Sequence, residues 1–268
     1  GNKYDITIRA IVVFNKADTI ICEDTRVTKK LFRILNISQK KKWLTYNDHS
    51  SIFKKKKIVS ELANNKIVAL VSDAGTPLIS DPGYKLLNKI RENHYKIFCI
   101  PGPSASISGL ILSGLSTDKF SFLGFLPKNK NDYVYTLKEY SKLKNTLIIF
   151  EKSSRVNFLL NVLKDNFNKF KLVMVKEITK IYENTYQINN ENVDEFLKAK
   201  KAIKGELTMV LDIYDENMNF YSDTKLLEEL KILKPSQVSA MLSKTSSESR
   251  EEIYKRCIKL LNDKKELK

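Results

Sequence analysis

The fold is decided by the stretch Val71-Ser72-Asp73-Ala74-Gly75-Thr76-Pro77-Leu78-Ile79-Ser80-Asp81-Pro82-Gly83, which follows directly on an apolar run typical of a buried strand. In an open α/β sheet, ligands bind beyond the carboxyl ends of the strands, so this loop is predicted to contact a ligand. Gly75 leaves the backbone open to close approach, and Pro77 favours an extended conformation before it. Asp81 and Pro82 are typical of a helix N-cap followed by proline in the first turn, and Asp81 could be only a cap.

A second glycine-proline turn has the same character. Pro101-Gly102-Pro103 follows the apolar run Lys96–Ile100, and Ser104 can cap a helix that begins at Ala105. Neither turn matches the glycine fingerprint of dinucleotide sites or a Walker A motif. The two turns therefore predict a pocket for a ligand without phosphates.

Short β-rich runs alternate with helical patterns along the chain, which predicts an α/β fold. In the first half, the predicted strands are Thr19–Cys22, Trp43–Tyr46, Ile67–Ser72 and Lys96–Ile100. In the second half they are Thr146–Phe150, Lys171–Val175 and Leu207–Tyr214, with helices near Arg155–Lys164 and Val193–Lys200. From about Asp223 the spacing is only helical. We expect a doubly wound α/β lobe over residues 1–125, a second α/β lobe over 126–221, and a small C-terminal helical appendage over 222–268.

Composition excludes several classes of protein. Hydrophobic residues make up 42% and charged residues 29% of the 268 residues, which is typical of a globular chain. No apolar run approaches the roughly 18–20 residues of a membrane span. No segment resembles an export signal, so we expect no membrane association and a cytoplasmic location.

The cysteines and histidines show no spacing typical of metal ligands. The chain has three cysteines and two histidines, all far apart, so we predict no metal site and no disulfide framework. Cys22 and Cys99 lie in apolar, strand-like runs, where a buried and inert thiol is the expected state.

The charge balance favours a polyanionic partner. The net charge is +16, from 47 basic and 31 acidic residues, and a field of this sign concentrates RNA or DNA near the surface. Abundant lysine is also the product of an AT-rich genome, and forked recognition of phosphate favours arginine. The run Lys54–Lys57 is interpreted as a solvated helix face.

The motifs resemble those of the tetrapyrrole-methylase superfamily. The superfamily features are Ser72–Pro77, Asp81–Tyr84 and Pro101–Ala105, and the segments similar to its members that act on ribosomal RNA are Glu23–Arg26, Gly124–Pro127 and Lys204–Glu206. The resemblance implies two α/β lobes enclosing S-adenosylmethionine, transfer of its methyl group to the 2′-hydroxyl of a cytidine in small-subunit (16S) ribosomal RNA, and a homodimer. It implies cofactor-binding roles for Asp73, Ala74, Gly75, Thr76, Pro77, Pro103, Ser104, Ser113, Gly114 and Leu115.

Departures from the family pattern leave alternatives open. Family members begin with a strand and a Pro-rich turn leading into Gly-Asn, whereas this sequence starts at Gly1-Asn2, so a central strand and one wall of the cleft are expected to be absent. Ser153-Ser154 precedes Arg155 where a Pro-His pair is common, and Ser50 follows Asp48-His49 where Asn is usual. A methylase of tetrapyrroles or other small molecules, and an inactive RNA-binding remnant, are the two alternatives.

Candidate catalytic and RNA-binding residues follow from position and charge. Asp24 is a candidate general base because it lies just beyond a strand end, on the edge that carries both loops. It could instead pair with Arg26 or cap the next helix. A lone His49 in a loop is usually only a polar contact. The candidates for contacts with RNA phosphates, each with a surface salt bridge as the alternative, are Arg26, Arg155, Lys180 and Lys204.

Overall fold

A small parallel sheet with its connecting helices is built from the first half of the chain. The computed structural model describes residues 1–199, 203–214, 221–246 and 248–266. In chain order, the elements of this half are α1 (Ile8–Lys16), β1 (Thr19–Cys22), α2 (Thr25–Ile34), β2 (Lys42–Thr45), α3 (Ile52–Ala63), β3 (Val68–Val71), α4 (Tyr84–Glu92) and α5 (Ala105–Ser113). The strands are parallel, with β1 between β2 and β3. All four residues of β1 are buried, so this strand is the centre of the sheet.

Side-chain caps start three of these helices. The Thr7 hydroxyl accepts a hydrogen bond from the first turn of α1, the Asp24 carboxylate from α2, and the Ser51 hydroxyl from α3. Each cap satisfies a backbone N–H that has no partner within its helix. Because the strands are parallel, the loops that follow β1, β2 and β3 gather at one edge of the sheet.

Three of the four strands predicted in this half are confirmed to within one residue at either end: Thr19–Cys22, Trp43–Tyr46 and Ile67–Ser72. The prediction of a strand at Lys96–Ile100 is wrong, since this run pairs with none of the described strands and most of it is exposed. Its apolar residues have the propensity for a strand, but a strand also needs a neighbouring edge for its backbone hydrogen bonds. The prediction of a buried Cys99 is wrong for the same reason, whereas Cys22 is buried as predicted.

A mixed five-stranded sheet forms the second lobe. Its elements are β4 (Phe120–Phe125), α6 (Lys130–Ser141), β5 (Thr146–Lys152), α7 (Val156–Asn166), β6 (Lys169–Lys176), β7 (Asn184–Asn189), α8 (Val193–Lys198) and β8 (Glu206–Tyr214). The strand order is β4-β5-β8-β6-β7, with β4 parallel to β5 and the other pairs antiparallel. The largest buried cluster of the chain lies between this sheet and α6 and α7. The predicted two-lobed α/β fold is confirmed.

Two elements from before residue 126 belong to the second sheet. Strand β4 pairs with β5. Neither β4 nor β7 was predicted from the sequence. Helix α5 packs on the same sheet, where Leu110 contacts Ile148 and Val210. The second sheet therefore begins at Phe120, before the expected boundary. Lys200, the expected end of α8, lies outside the described residues.

Gly109 allows helix α5 to pack directly on strand β8. A Cβ atom at Gly109 would lie 2.5 Å from Thr208 Cγ2, and Thr208 is buried. We expect Gly109→Ala to lower the free energy of unfolding by about 1–3 kcal/mol through overpacking, even though alanine favours the helix. Urea denaturation measures the change. Gly102→Ala is the control, because nothing lies within 4 Å of a Cβ at Gly102, and an equal loss in both variants would contradict this packing argument.

The C-terminal appendage is a bundle of three helices with a core of its own. Its helices are α9 (Asp223–Glu229), α10 (Pro235–Leu242) and α11 (Arg250–Glu266). Their buried apolar residues are Leu226, Val238, Leu242, Ile253 and Cys257. Arg256 of α11 forms ion pairs with Glu248 and Asp223, so its charge is used inside the bundle. The predicted helical appendage is confirmed, while the preceding segment 215–220 lies outside the described residues.

Candidate functional site

An open cleft of about 440 Å³ lies at the carboxyl edge of the first sheet. Each of the three parallel strands contributes residues that follow it to the wall of this cleft: Glu23 after β1; Asn47, Asp48 and His49 after β2; and Ser80, Asp81 and Pro82 after β3. The cleft is therefore built at the position where an open α/β sheet binds its ligands.

The two glycine-proline loops lie against each other. The Thr76 hydroxyl donates a hydrogen bond to the Pro103 carbonyl oxygen at 2.9 Å. Gly75 has a φ of +67°, and a Cβ atom there would lie 3.7 Å from the same Pro103 oxygen. The Ser72 hydroxyl donates to the Gly75 carbonyl oxygen at 2.9 Å, which holds the turn closed. The backbone N–H of Asp24 donates to Asp73 Oδ1 at 3.3 Å and connects the loop after β1 to this pair.

The predicted cofactor residues fall into two groups. The first group, in and beside the paired loops, consists of exposed or half-buried residues: Asp73, Ala74, Gly75, Thr76, Pro77, Pro103 and Ser104. The second group closes helix α5. Ser113 is buried, donates to the Leu110 carbonyl oxygen at 2.7 Å and accepts from the Leu115 N–H at 3.1 Å, while Gly114 is left-handed. The hydroxyl of Ser113 is thus engaged inside the fold.

Asp24 is occupied by its own helix. Its carboxylate accepts a hydrogen bond from the Arg26 N–H at 2.8 Å and pairs with the Arg26 guanidinium, with Nη2 at 2.6 Å from Oδ2. Hydrogen bonds from the Arg26 side chain, and then from its backbone, lower the pKa of Asp24 to about 2. Asp24 therefore stays ionised at neutral pH and is a weak base.

Asp81 was predicted as a helix N-cap, and this prediction is wrong. Helix α4 begins at Tyr84 and its N-cap is Gly83, whose φ of +138° is a conformation that glycine adopts readily. Asp81 is left to line the cleft instead. Burial, then the charges of Glu23 and Asp73, raise the pKa of Asp81 to about 6, and the Ser72 hydroxyl offsets part of this rise. The cleft thus contains a carboxyl group that changes charge close to neutral pH.

The loop after β2 is fixed by Asp48. Asp48 Oδ1 accepts hydrogen bonds from the Gly83 N–H at 3.3 Å and from the Tyr46 hydroxyl at 3.4 Å. These bonds hold the second wall of the cleft against the start of α4. His49, predicted to make only a polar contact, lies on this wall with an exposed side chain. Only its position after a strand, on the same edge as the two loops, could have indicated this from the sequence.

The four candidate RNA-binding cations differ in exposure. Arg26 is 89% exposed in the first turn of α2, and Lys204 is also exposed. Lys180 forms ion pairs at 3.0 Å with both Glu177 and Glu206. Arg26 and Lys204 are therefore the more accessible of the four.

Arg155 lies in a mostly buried network of the second lobe. Its Nη2 donates to the Pro127 carbonyl oxygen at 3.1 Å, and its guanidinium lies 5.1 Å from the centre of the Tyr133 ring. Its Nε is 3.7 Å from Oε1 of Glu151, whose side chain is only 3% exposed. The Tyr133 hydroxyl donates to the other carboxylate oxygen of Glu151 at 3.0 Å. Arg155 therefore connects the segment that enters the second lobe to the core of that lobe.

We expect Arg155→Ala to lower the free energy of unfolding by about 2–3 kcal/mol, because Glu151 would remain buried without its cation. Arg26→Ala is the control, since Arg26 also pairs with a carboxylate but is 89% exposed, and its loss of stability should be much smaller. Urea denaturation of both variants gives the comparison. If the two losses were equal, Arg155 would make no more than a surface contact.

No helix within the described residues has the length and apolar character that crossing a membrane requires. In the same part of the chain, no group of three His, Cys, Asp or Glu side chains lies close enough together to hold a metal ion.

Comparison with known proteins defines the class. Residues 1–194 match the family model described as tetrapyrrole (corrin/porphyrin) methylases, so the chain belongs to that family. Within it, the chain is similar to proteins named ribosomal RNA small subunit methyltransferase I. It is 41% identical to the one from Rickettsia prowazekii (strain Madrid E), covering 79% of this chain and 74% of that protein. It is 36% identical to the one from Hydrogenobaculum sp. (strain Y04AAS1), covering 81% and 96%. The resemblance inferred from the motifs is confirmed.

Solved structures support the fold independently. A diphthine synthase aligns with a TM-score of 0.60 at 15% identity, covering 78% of this chain and 85% of that chain. A cobalamin biosynthetic enzyme, cobalt precorrin-4 methyltransferase, aligns with a TM-score of 0.57 at 14% identity, covering 79% and 90%. At these identities the likeness concerns the fold alone.

Proposed function

We propose that this chain binds S-adenosylmethionine on the paired glycine-proline loops, next to the cleft lined by Asp81, and transfers its methyl group to the 2′-hydroxyl of a cytidine in small-subunit ribosomal RNA. The observation that carries the proposal is the pairing of the two glycine-proline loops at the carboxyl edge of the first sheet, beside an ionisable carboxyl group. The family, the names of the relatives and the net charge of +16 support an RNA substrate.

The paired loops fit a cofactor that is recognised by main-chain groups. Asp73, Ala74 and Gly75 are exposed, and Gly75 presents no side chain to a ligand. We assign the cofactor to Asp73–Pro77 with Pro103 and Ser104, and place Ser113, Gly114 and Leu115 behind them as the end of α5. S-adenosylmethionine supplies an activated methyl group on a sulfonium. The residues of the chain have to bring a ribose hydroxyl into line with it and take up a proton.

We assign the general base to Asp81 in preference to Asp24. A base works best when its pKa lies near the working pH, and the pKa of Asp81 is raised to about 6. Asp24, with a pKa lowered to about 2 and its carboxylate bound to Arg26, has little affinity for a proton. In this assignment Asp24 holds Arg26 in the first turn of α2, where the exposed guanidinium can meet phosphate, with Lys204 as a second contact.

Two measurements test the proposed function. Isothermal titration with S-adenosylmethionine should show binding. The absence of binding would instead support the alternative, an inactive RNA-binding remnant. Incubation with labelled S-adenosylmethionine and small ribosomal subunits that lack the modification should place one methyl group on a cytidine ribose. Cofactor binding with transfer to a tetrapyrrole, and none to the subunit, would instead identify a small-molecule methylase.

We further propose a cytoplasmic homodimer, as the family resemblance implies. Sedimentation equilibrium of the purified chain tests the homodimer, and a monomer at micromolar concentration would contradict it.

A further inference from the structure

Helix α3 carries an exposed apolar and basic surface at the rim of the cleft. Helix α3 begins directly after the loop that forms the second wall, and its first two residues are large and apolar. Ile52 is 73% exposed and Phe53 is 75% exposed. Exposed apolar side chains that stand next to each other are typical of a contact surface. We call Ile52, Phe53, Lys54, Lys56 and Lys57 the α3 rim.

The position of the α3 rim is fixed by the turn that lines the cleft. The Asn47 N–H donates to the Ser50 hydroxyl at 2.9 Å, and the Ser50 N–H donates to the Asn47 carbonyl oxygen at 2.9 Å. Ser51 then caps the helix. Lys54 Nζ donates to Thr45 Oγ1 at 3.4 Å, which ties the first turn of α3 to the end of β2. Phe53 therefore lies a few residues beyond the cleft wall, on a helix rather than on a free loop.

The α3 rim carries a positive charge. No acidic residue occurs between Ser51 and Ser60. Glu61, the next acidic residue, is buried and hydrogen-bonded by Lys42 and Thr19, and its charge also interacts with that of Lys57. Spacings of three and four residues place Lys56 and Lys57 beside Phe53 on the exposed side of the helix, while Ile58 faces the core.

We propose that the α3 rim binds a single-stranded segment of the substrate RNA, with a base stacked on Phe53 and the adjoining phosphates contacted by Lys56 and Lys57. Unpaired bases stack on exposed aromatic rings, and lysines that flank the ring match the charge of the backbone. A second copy of the chain or an apolar protein partner would not need this lysine pattern. The inference rests on the RNA substrate proposed above, and it replaces the interpretation of Lys54–Lys57 as a merely solvated face.

The test measures affinity of the full chain for a labelled single-stranded cytidine oligonucleotide of about 12 nucleotides, a length within the usual range for such sites. Phe53→Ala should weaken binding by about tenfold, because stacking on an aromatic ring contributes about 1–3 kcal/mol. Phe53→Trp should retain the affinity. Phe98→Ala is the matched control, since Phe98 is also 75% exposed but lies on the Lys96–Ile100 segment, and it should leave binding unchanged.

A base-paired RNA of the same length separates stacking from charge. Phe53→Ala should not affect its binding, whereas Lys56→Gln with Lys57→Gln should weaken the binding of both RNAs and reduce the salt dependence. The proposal is overturned if Phe53→Ala binds the oligonucleotide as the natural chain does, if Phe98→Ala loses as much, or if the natural chain does not bind it. It is also overturned if Phe53→Ala dissociates a dimer without changing RNA affinity.

The proposal for the α3 rim and the proposed methylation of RNA can be refuted separately. Methyl transfer to the small subunit with an unchanged KM in Phe53→Ala would remove the α3 rim from the RNA site and leave the proposed function standing. Phe53-dependent binding of the oligonucleotide without any methyl transfer would refute the proposed function and keep the surface.

Discussion

Gly75→Val is expected to abolish binding of S-adenosylmethionine, with a loss of affinity of at least about 100-fold, while the protein remains folded. Gly75 has a φ of +67°, a conformation that a β-branched residue adopts only with strain. Valine would change the turn and place a side chain where the exposed loop has only backbone. Because Gly75 is exposed, few packing contacts are lost.

Gly75→Ala provides the graded comparison. Its Cβ atom would lie at an ordinary contact distance of 3.7 Å from the Pro103 carbonyl oxygen, so only the backbone strain of about 1 kcal/mol remains. Isothermal titration and circular dichroism of the three proteins separate binding from folding. Normal affinity in the valine variant would place the cofactor away from Asp73–Pro77.

Asp81→Asn is expected to lower kcat by about 100-fold to 10,000-fold while leaving cofactor affinity unchanged, since a general base contributes rate accelerations of this order. With a pKa of about 6, Asp81 is the active, ionised base above this value, so the natural enzyme should gain activity as pH rises through about 6. The variant should show no such inflection. Asp24→Asn, the matched carboxylate variant, should keep most of kcat, and its stability should change little because asparagine is as good a helix N-cap as aspartate.

The Asp81→Asn variant should also change the stability of the protein, in a direction that depends on pH. The pKa of Asp81 is raised in the folded protein, so ionisation of this group opposes folding above pH 6 and ceases to do so as the pH falls below about 4. Asp81→Asn should therefore melt higher than the natural protein at neutral pH, and the difference should vanish in acid.

The groups around Asp81 are Glu23, Asp48, His49 and Asp73. His49→Gln should keep the pH inflection, and loss of the inflection there would assign it to the imidazole.

The sequence predicted what depends on local chemistry. A proline-bounded turn after an apolar run indicates a ligand loop, and Thr76 and Pro103 do meet across two such turns. The central strand Thr19–Cys22 was predictable because it is a run of β-branched and apolar residues without a charged one, as expected of a strand that is buried on both faces. These features need only the residues within one segment.

Features that depend on distant neighbours were not predictable. Lys96–Ile100 has the composition of a strand, but it pairs with no described strand, and the sequence does not contain that information locally. Asp81 has the composition of a cap, yet Gly83 starts the helix and leaves the carboxylate in a cleft to which Glu23 and Asp48 come from two other loops. The raised pKa is a property of that assembly, and no single motif encodes it.

Helix α5 has a mechanical consequence for the enzyme. The helix begins at the second glycine-proline turn, but it is anchored in the opposite sheet through Leu110 and the close approach of Gly109 to Thr208. Any rotation of one lobe against the other must pull on the backbone at Pro103, and hence on Thr76. A ligand bound across Thr76 and Pro103 would restrain both lobes at once. Because it would bind only the folded protein, it would also stabilise against unfolding the strands that it does not contact.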